Sequence, residues 1–323
     1  MRGTTIMRQS PAMQRGPLDE MIDRRPTDLA IQSGSRGLVY LIHGVTGTPT
    51  EMGYLGRRLA RNGWDVYATT LPGHCTRIWD LLKASDKDWT AHVQAQLTFV
   101  RERYDYLYVA GLSAGALLAL QSSVTVDVDA LGILSPTFIY DGWNTPRVRA
   151  LLPFVMKVAP LHYLLFHADG PPFGIKDAQL QAHIRAAYHP LALIRGWIRD
   201  RWAHWKSSGT DAATRANPAA SKGYPIFPLK TLSHIDRLIA RVRGRLGEVT
   251  APTVILQARE DDMTGPRNGE LVYNTIASQQ KRLILLDDCY HVITVDKQRK
   301  AVANHLIEFF GRQTSTLDTP QTA

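Results

Sequence analysis

Tyr106-Leu107-Tyr108-Val109-Ala110-Gly111-Leu112-Ser113-Ala114-Gly115 is an apolar run that ends in Gly-x-Ser-x-Gly. The residues after it, Ala116-Leu117-Leu118-Ala119-Leu120-Gln121, favour helix. A strand turning directly into a helix is the context this motif requires. Such a turn is tight, so glycines belong where a Cβ would meet neighbouring backbone. It lifts the Ser113 hydroxyl above the sheet edge, where the first amides of the helix face developing negative charge.

Working outward, Leu38-Val39-Tyr40-Leu41-Ile42 is a continuous apolar run, as expected for a strand buried on both faces. The spacing predicts a helix over 50–62, a strand over 65–69, a helix over 88–103 and a strand over 130–134. Alternation resumes with a strand at 253–258, a helix at 268–276, a strand at 282–286 and a helix at 299–310. The pattern implies an α/β class with right-handed crossovers and a doubly wound, mostly parallel sheet.

A serine hydroxyl needs a base to take its proton, and the base needs an acid to orient it. An open parallel sheet places such groups just past the carboxyl ends of its strands. After 253–258 comes Arg259-Glu260-Asp261-Asp262, and after 282–286 comes Asp287-Asp288-Cys289-Tyr290-His291. Serine, acid and histidine thus fall in the chain order of the α/β-hydrolases. His291 is the candidate base. Asp261 and Asp262 compete as the acid, and Asp287 and Asp288 share the histidine's own loop.

These segments resemble the α/β-hydrolase superfamily, and more narrowly its bacterial carboxylesterases and monoacylglycerol lipases. The resemblance rests on Leu41-Ile42-His43-Gly44-Val45-Thr46-Gly47-Thr48-Pro49, Leu71-Pro72-Gly73-His74, Asp88-Trp89, Gly111–Gly115, Gln257–Met263 and His291-Val292-Ile293-Thr294. It spans roughly 37–136 and 250–311. The last two motifs are similar to those of small thermostable carboxylesterases of bacilli, which implies Asp261 rather than Asp262 as the acid. The fold implies an oxyanion hole from the backbone amides of Val45 and Ala114, with His43 and Gly44 supporting that loop. Ester hydrolysis through an acyl-enzyme is the implied activity, needing neither metal nor cofactor. Monoacylglycerols or other medium-chain esters are the implied substrates. Thioester hydrolysis, acyl transfer or ligand reception use the same constellation and stay open. One departure is Ala116, where the family usually carries a second glycine.

The 323 residues, 44% hydrophobic and 21% charged, suit a soluble protein with a sizeable core. No stretch approaches the roughly 20 apolar residues of a membrane span. Two cysteines without metal-ligand spacing, and no secretory signal, make the cytoplasm the default. The net charge of +9 is scattered rather than grouped in a nucleic-acid-binding module, so it reads as solubility with weak affinity for anionic surfaces. Residues 1–36 read as a flexible leader and 313–323 as a flexible tail. The core occupies 37–136 and 250–312, interrupted by a helical cap insertion over 137–249. Within that insertion, Leu193–Lys206 would set Trp197, Trp202 and Trp205 on one helical face. Such a helix packs on the core or acts as a lid touching lipid.

Overall fold

The computed structural model describes residues 17–144, 166–168, 170–187, 223–224 and 226–318. Its main sheet has seven strands: β1 (Leu29–Ile31), β2 (Gly37–Ile42), β3 (Asp65–Thr69), β4 (Tyr106–Leu112), β5 (Ala130–Leu134), β8 (Thr253–Ala258) and β9 (Lys281–Leu286). Their order is β1-β3-β2-β4-β5-β8-β9. All neighbours are parallel except β1, which runs antiparallel to β3. Two short strands, β6 (Phe166–Ala168) and β7 (Ile226–Pro228), form a separate antiparallel pair.

The period of two in β2 explains why the sheet is covered on both sides. Leu38, Tyr40 and Ile42 join one apolar cluster, while Val39 and Leu41 join the other. Helices α1 (Gly53–Ala60) and α8 (Arg299–Asp318) cover one face through Leu55, Leu59, Leu306 and Phe310. The opposite face carries α3 (Asp86–Arg101), α4 (Ala114–Ser123), α6 (Leu229–Arg245) and α7 (Arg267–Thr275). Short α2 (Ile78–Lys83) precedes α3, and α5 (Ala178–Ala187) lies between β6 and β7 in the chain. Gly132 of β5 lets α8 come close, since a Cβ there would lie 2.6 Å from Leu306 Cδ2. The chain runs from β2 to β3 on one side and then crosses to β4 on the other. The switch point therefore opens between the carboxyl ends of β2 and β4, and the Ser113 turn stands there.

Several boundaries differ from those read in the sequence. Residues 17–36 are ordered: β1 pairs with β3, and Leu18 and Met21 are buried in the core. A three-residue strand and two isolated apolar residues leave no periodic signal. The helix expected from residue 50 begins as a 3-10 turn, Pro49–Met52, capped by the Thr48 hydroxyl. Helix α3 starts earlier than expected because Ser85 and Asp88 form a reciprocal capping box. The expected tail continues α8 to Asp318, and the Thr314 hydroxyl pairs with Tyr108 Oη at 2.7 Å.

Of the expected cap, residues 145–165 and 188–222, including the tryptophan stretch 193–206, lie outside the described residues. Helix α6, grouped with that insertion by sequence, packs instead in the layer over the sheet. Its Ile235, Leu238 and Val242 join the cluster of Leu117 and Leu118 from α4. Helical periodicity announces an apolar face but not the surface that receives it.

The burial of Leu18 gives the first test. Leu18→Ala should lower the unfolding free energy by about 2–4 kcal/mol in urea titration. A leader without packing contacts would leave it unchanged.

Candidate active site

Strand β4 delivers Ser113 into a backbone conformation of φ 58° and ψ −118°. Both flanking glycines are required by contact. A Cβ on Gly111 would lie 2.1 Å from the Gly115 carbonyl oxygen, and one on Gly115 would lie 2.3 Å from that of Ile42. The Ser113 amide donates to Leu134 O at 2.9 Å, fastening the turn to β5. Ala114 is the first residue of α4, so its amide has no carbonyl one turn earlier to bond.

Beyond β9, the chain brings His291 Nε2 to 2.9 Å from Ser113 Oγ. On the other side of the ring, Nδ1 lies 2.9 Å and 3.1 Å from the two Asp261 oxygens. The carboxylate is itself held tightly. Its Oδ1 accepts from the Met263 and Thr264 amides at 2.9 and 2.7 Å, and Oδ2 accepts from Gln257 Nε2 at 2.8 Å. Ser113, His291 and Asp261 thus stand in one hydrogen-bonded line. Burial by itself pushes His291 down, but the charge and hydrogen bond of Asp261, with Asp262 and Glu51 behind, outweigh it. The net result is an imidazole raised above 6.5.

Asp262 faces elsewhere. It accepts from the His291 backbone amide at 3.3 Å and from Gly174 N at 3.2 Å, and burial raises its carboxyl above the usual range. Through Gly174 it secures a strap, 170–177, whose Gly174 carbonyl in turn accepts from Val292 N at 2.7 Å. Asp296 holds the far end by accepting from the amides of Lys176 and Asp177. Asp287 and Asp288 are exposed surface partners of Arg259 and of Lys176 and Lys297, while both His291 ring nitrogens are taken up by Asp261 and Ser113. Cys289 is buried, and burial pushes its thiol up to about 12.

The loop after β2 carries His43, Gly44 and Val45. His43 donates from Nδ1 to Gly44 O at 2.7 Å and accepts the Leu71 amide at Nε2, 3.2 Å. His74 lies edge-on to it, with ring centroids 5.0 Å apart. It accepts the Thr46 amide at Nε2, 3.2 Å, and donates to Pro72 O. Each ring uses one nitrogen as an acceptor from backbone, so each must be neutral. Burial, first of all, holds His43 well below 6.5 and His74 at about 4. Thr46 sits at φ 63°, and its carbonyl accepts from Tyr224 N at 3.0 Å.

Four contributors were not legible as site residues. Thr137, just past β5, places its hydroxyl 2.9 Å from Ser113 Oγ. Thr264 Oγ1 lies 3.1 Å from His291 Nδ1. Gln257 anchors the carboxylate, and buried Asn268 clamps the loop after β5. Gln257 and Thr264 border the acid motif, the only signal that could have found them. A lone threonine after Ser-Pro and an asparagine in a helix carry none.

With that geometry in place, comparison with known proteins is specific. The model of the family described as serine aminopeptidase, S33, matches residues 33–298. The chain is 25% identical over 275 residues to a thermostable monoacylglycerol lipase of Bacillus sp. (strain H-257), covering 85% of this chain and 90% of that protein. It is 24% identical over 285 residues to a carboxylesterase of Bacillus subtilis (strain 168), covering 88% and 96%. A solved structure from work on LipS and LipT, two metagenome-derived lipolytic enzymes, superimposes with a TM-score of 0.66 at 25% identity, covering 89% of this chain and 99% of that one.

The neutral histidines give a pH dependence of stability. His74 and His92 are both held at about 4, chiefly by burial, against 6.5 for an open imidazole. Between those values the unfolded chain takes up protons that the folded chain refuses. The contribution of these two rings is therefore complete above pH ~6.5 and is lost as pH falls toward ~4, by about 3 kcal/mol for each ring. Urea unfolding at a series of pH values should show this decline. A flat profile between pH 7 and 4.5 would contradict the neutral pins.

Proposed function

The chain belongs to the family described as serine aminopeptidase, S33, a serine-hydrolase family of the α/β-hydrolase fold, and on that premise we propose that it hydrolyses carboxylic esters through Ser113, His291 and Asp261. The observation that carries this reading is the line from half-buried Ser113 Oγ through buried His291 to buried Asp261, with 2.9 Å at each link. Asp261 accepts from five donor atoms and stays the hydrogen-bond acceptor for Nδ1–H, which leaves Nε2 free to take the Ser113 proton. Ser113 Oγ attacks the ester carbonyl as its proton moves to Nε2. The backbone amides of Val45 and Ala114 receive the oxyanion, each worth roughly 3 kcal/mol. His43 and Gly44 hold that loop in place. His291 then protonates the leaving alcohol, and water repeats the sequence on the acyl-enzyme. Neither a metal nor an organic cofactor enters these steps.

For substrate, the proposal is a monoacylglycerol or another medium-chain ester, a small molecule rather than a nucleic acid. Its support is the names of the two Bacillus relatives. A cap drawn from the part of the insertion that precedes α6, making weak contact with a membrane surface and closing over the acyl group, belongs to the same proposal, as does a cytoplasmic location. Among the described residues, no helix is long and apolar enough to cross a membrane.

Rates on p-nitrophenyl esters from acetyl to dodecanoyl, beside acyl-CoA of equal length, test the reaction class. Medium-chain esters should turn over fastest. Preference for the thioester would replace ester hydrolysis with thioesterase or acyl-transfer chemistry, and negligible turnover with ligand-induced stabilisation would favour a receptor.

The two adjacent acids separate by mutation. Asp261→Asn should lower kcat by about 10³–10⁴, because the amide favours the wrong tautomer of His291. Asp262→Asn should cost less than tenfold, since it touches only backbone at His291. Equal losses would remove the distinction. With His291 raised above 6.5 and needed neutral, kcat/KM should rise with pH through an apparent pKa above that value. A limb centred below 6.5 would contradict the assignment.

A further inference from the structure

The hydrogen-bond count at Ser113 Oγ leaves a donor unassigned. Asp261 can only accept, so its partner His291 Nδ1 carries a proton, and Nε2 of the neutral ring is an acceptor. Ser113 spends its single O–H on Nε2 at 2.9 Å. The remaining contact, Ser113 Oγ to Thr137 Oγ1 at 2.9 Å, can then be made only if Thr137 donates. The threonine is held for this. It is 4% exposed, and the two amides after it, Phe138 N and Ile139 N, both donate to Asn268 Oδ1 at 2.8 and 2.7 Å. Asn268 is fully buried and returns the bond through Nδ2 to Ile139 O and Asp141 Oδ1. Asp141 in turn accepts from Gly265 N at 2.7 Å, on the loop that carries Asp261. The loop after β5 and the acid loop are thereby one braced unit, with the Thr137 hydroxyl aimed at the nucleophile.

Consistent with the reading of Ser113 as nucleophile, on which it rests, we propose that Thr137 is a further catalytic residue, whose hydroxyl hydrogen-bonds Ser113 Oγ and assists its departure from the acyl-enzyme. In deacylation, water forms a bond to the acyl carbon and gives one proton to His291 Nε2. The tetrahedral intermediate collapses by breaking the C–Oγ bond, and that electron pair returns to Oγ. His291 delivers the proton to Oγ, while the Thr137 O–H bond stays intact and only its hydrogen bond shortens. Charge grows on Oγ during this collapse, so the donor is worth more at the transition state than in the acyl-enzyme. In acylation the same donor already bonds the resting Ser113 hydroxyl, a better acceptor than the ester oxygen of the acyl-enzyme, so it gains little more as the transition state forms. Thr137 therefore acts mainly on deacylation.

This asymmetry separates the role from a structural one. Pre-steady-state hydrolysis of a p-nitrophenyl ester resolves acylation as a burst of p-nitrophenolate and deacylation as the steady rate that follows. Thr137→Val should lower the steady rate about tenfold, ~1.4 kcal/mol, with the burst rate within twofold of wild type. Acyl-enzyme should accumulate and be visible by intact mass. Thr137→Ser restores the hydroxyl and should restore the steady rate. Should Thr137→Val fold poorly, Thr137→Ala, which leaves no branched side chain, should show the split in its place. Equal slowing of both phases, or no change in either, would overturn the proposal. If wild type itself forms no acyl-enzyme on Ser113, the nucleophile reading fails first and this inference falls with it.

Discussion

Everything at the candidate site depends on one strained residue. Ser113 occupies a left-handed backbone conformation that a side chain rarely adopts, at a cost of order 1–3 kcal/mol. The surrounding structure enforces it. Gly111 and Gly115 let helix α4 start against the carbonyls of β2, and the Ser113 amide is tied to β5. Three adjacent central strands therefore converge on a single hydroxyl. Remove the close approach and Oγ would no longer stand over the switch point, where the loops after β2, β5, β8 and β9 can reach it.

Those four loops act by different physical means. The acid loop supplies a carboxylate whose geometry is fixed by backbone amides and the Gln257 amide. The histidine loop is strapped down by Asp262 and Asp296, acidic groups that never approach the serine. The loop after β2 is held by two neutral imidazoles that accept backbone amides, so it depends on keeping protons out. The loop after β5 is braced by Asn268. Of the acidic groups on these loops, Asp261 is the one that reaches the imidazole ring, and its neighbours position it. Such preorganisation is what an oxyanion-forming reaction exploits, because no dipole must reorient as charge moves.

Short apolar runs at β2 to β5, β8 and β9, alternating along the chain with helical patterns, made the central sheet legible, since a strand buried on both faces, such as β2, reads as a continuous run. The elbow was legible because glycine spacing reports a steric need directly. Asp261 and Asp262 were not separable by pattern alone, because neighbouring residues on a turn differ only in the direction they face. Resemblance pointed to Asp261, and the two differ in what they reach: one the imidazole, the other the backbone behind it. Strand β1 and buried Leu18 were missed because three residues and an isolated leucine have no period. Thr137 and Asn268 were missed because a hydrogen bond between distant loops leaves no local mark. Helix α6 shows the remaining gap, since its apolar face was visible but its partner was not.

The claim at the centre is that the fold holds Ser113 as an activated nucleophile through His291 and Asp261. The most direct measurement is intact mass after incubation with a fluorophosphonate probe, followed by peptide mapping. A single adduct on Ser113 is expected, together with loss of labelling in His291→Ala despite an unchanged far-UV spectrum. No adduct on the wild-type chain, or labelling undiminished without the imidazole, would contradict it.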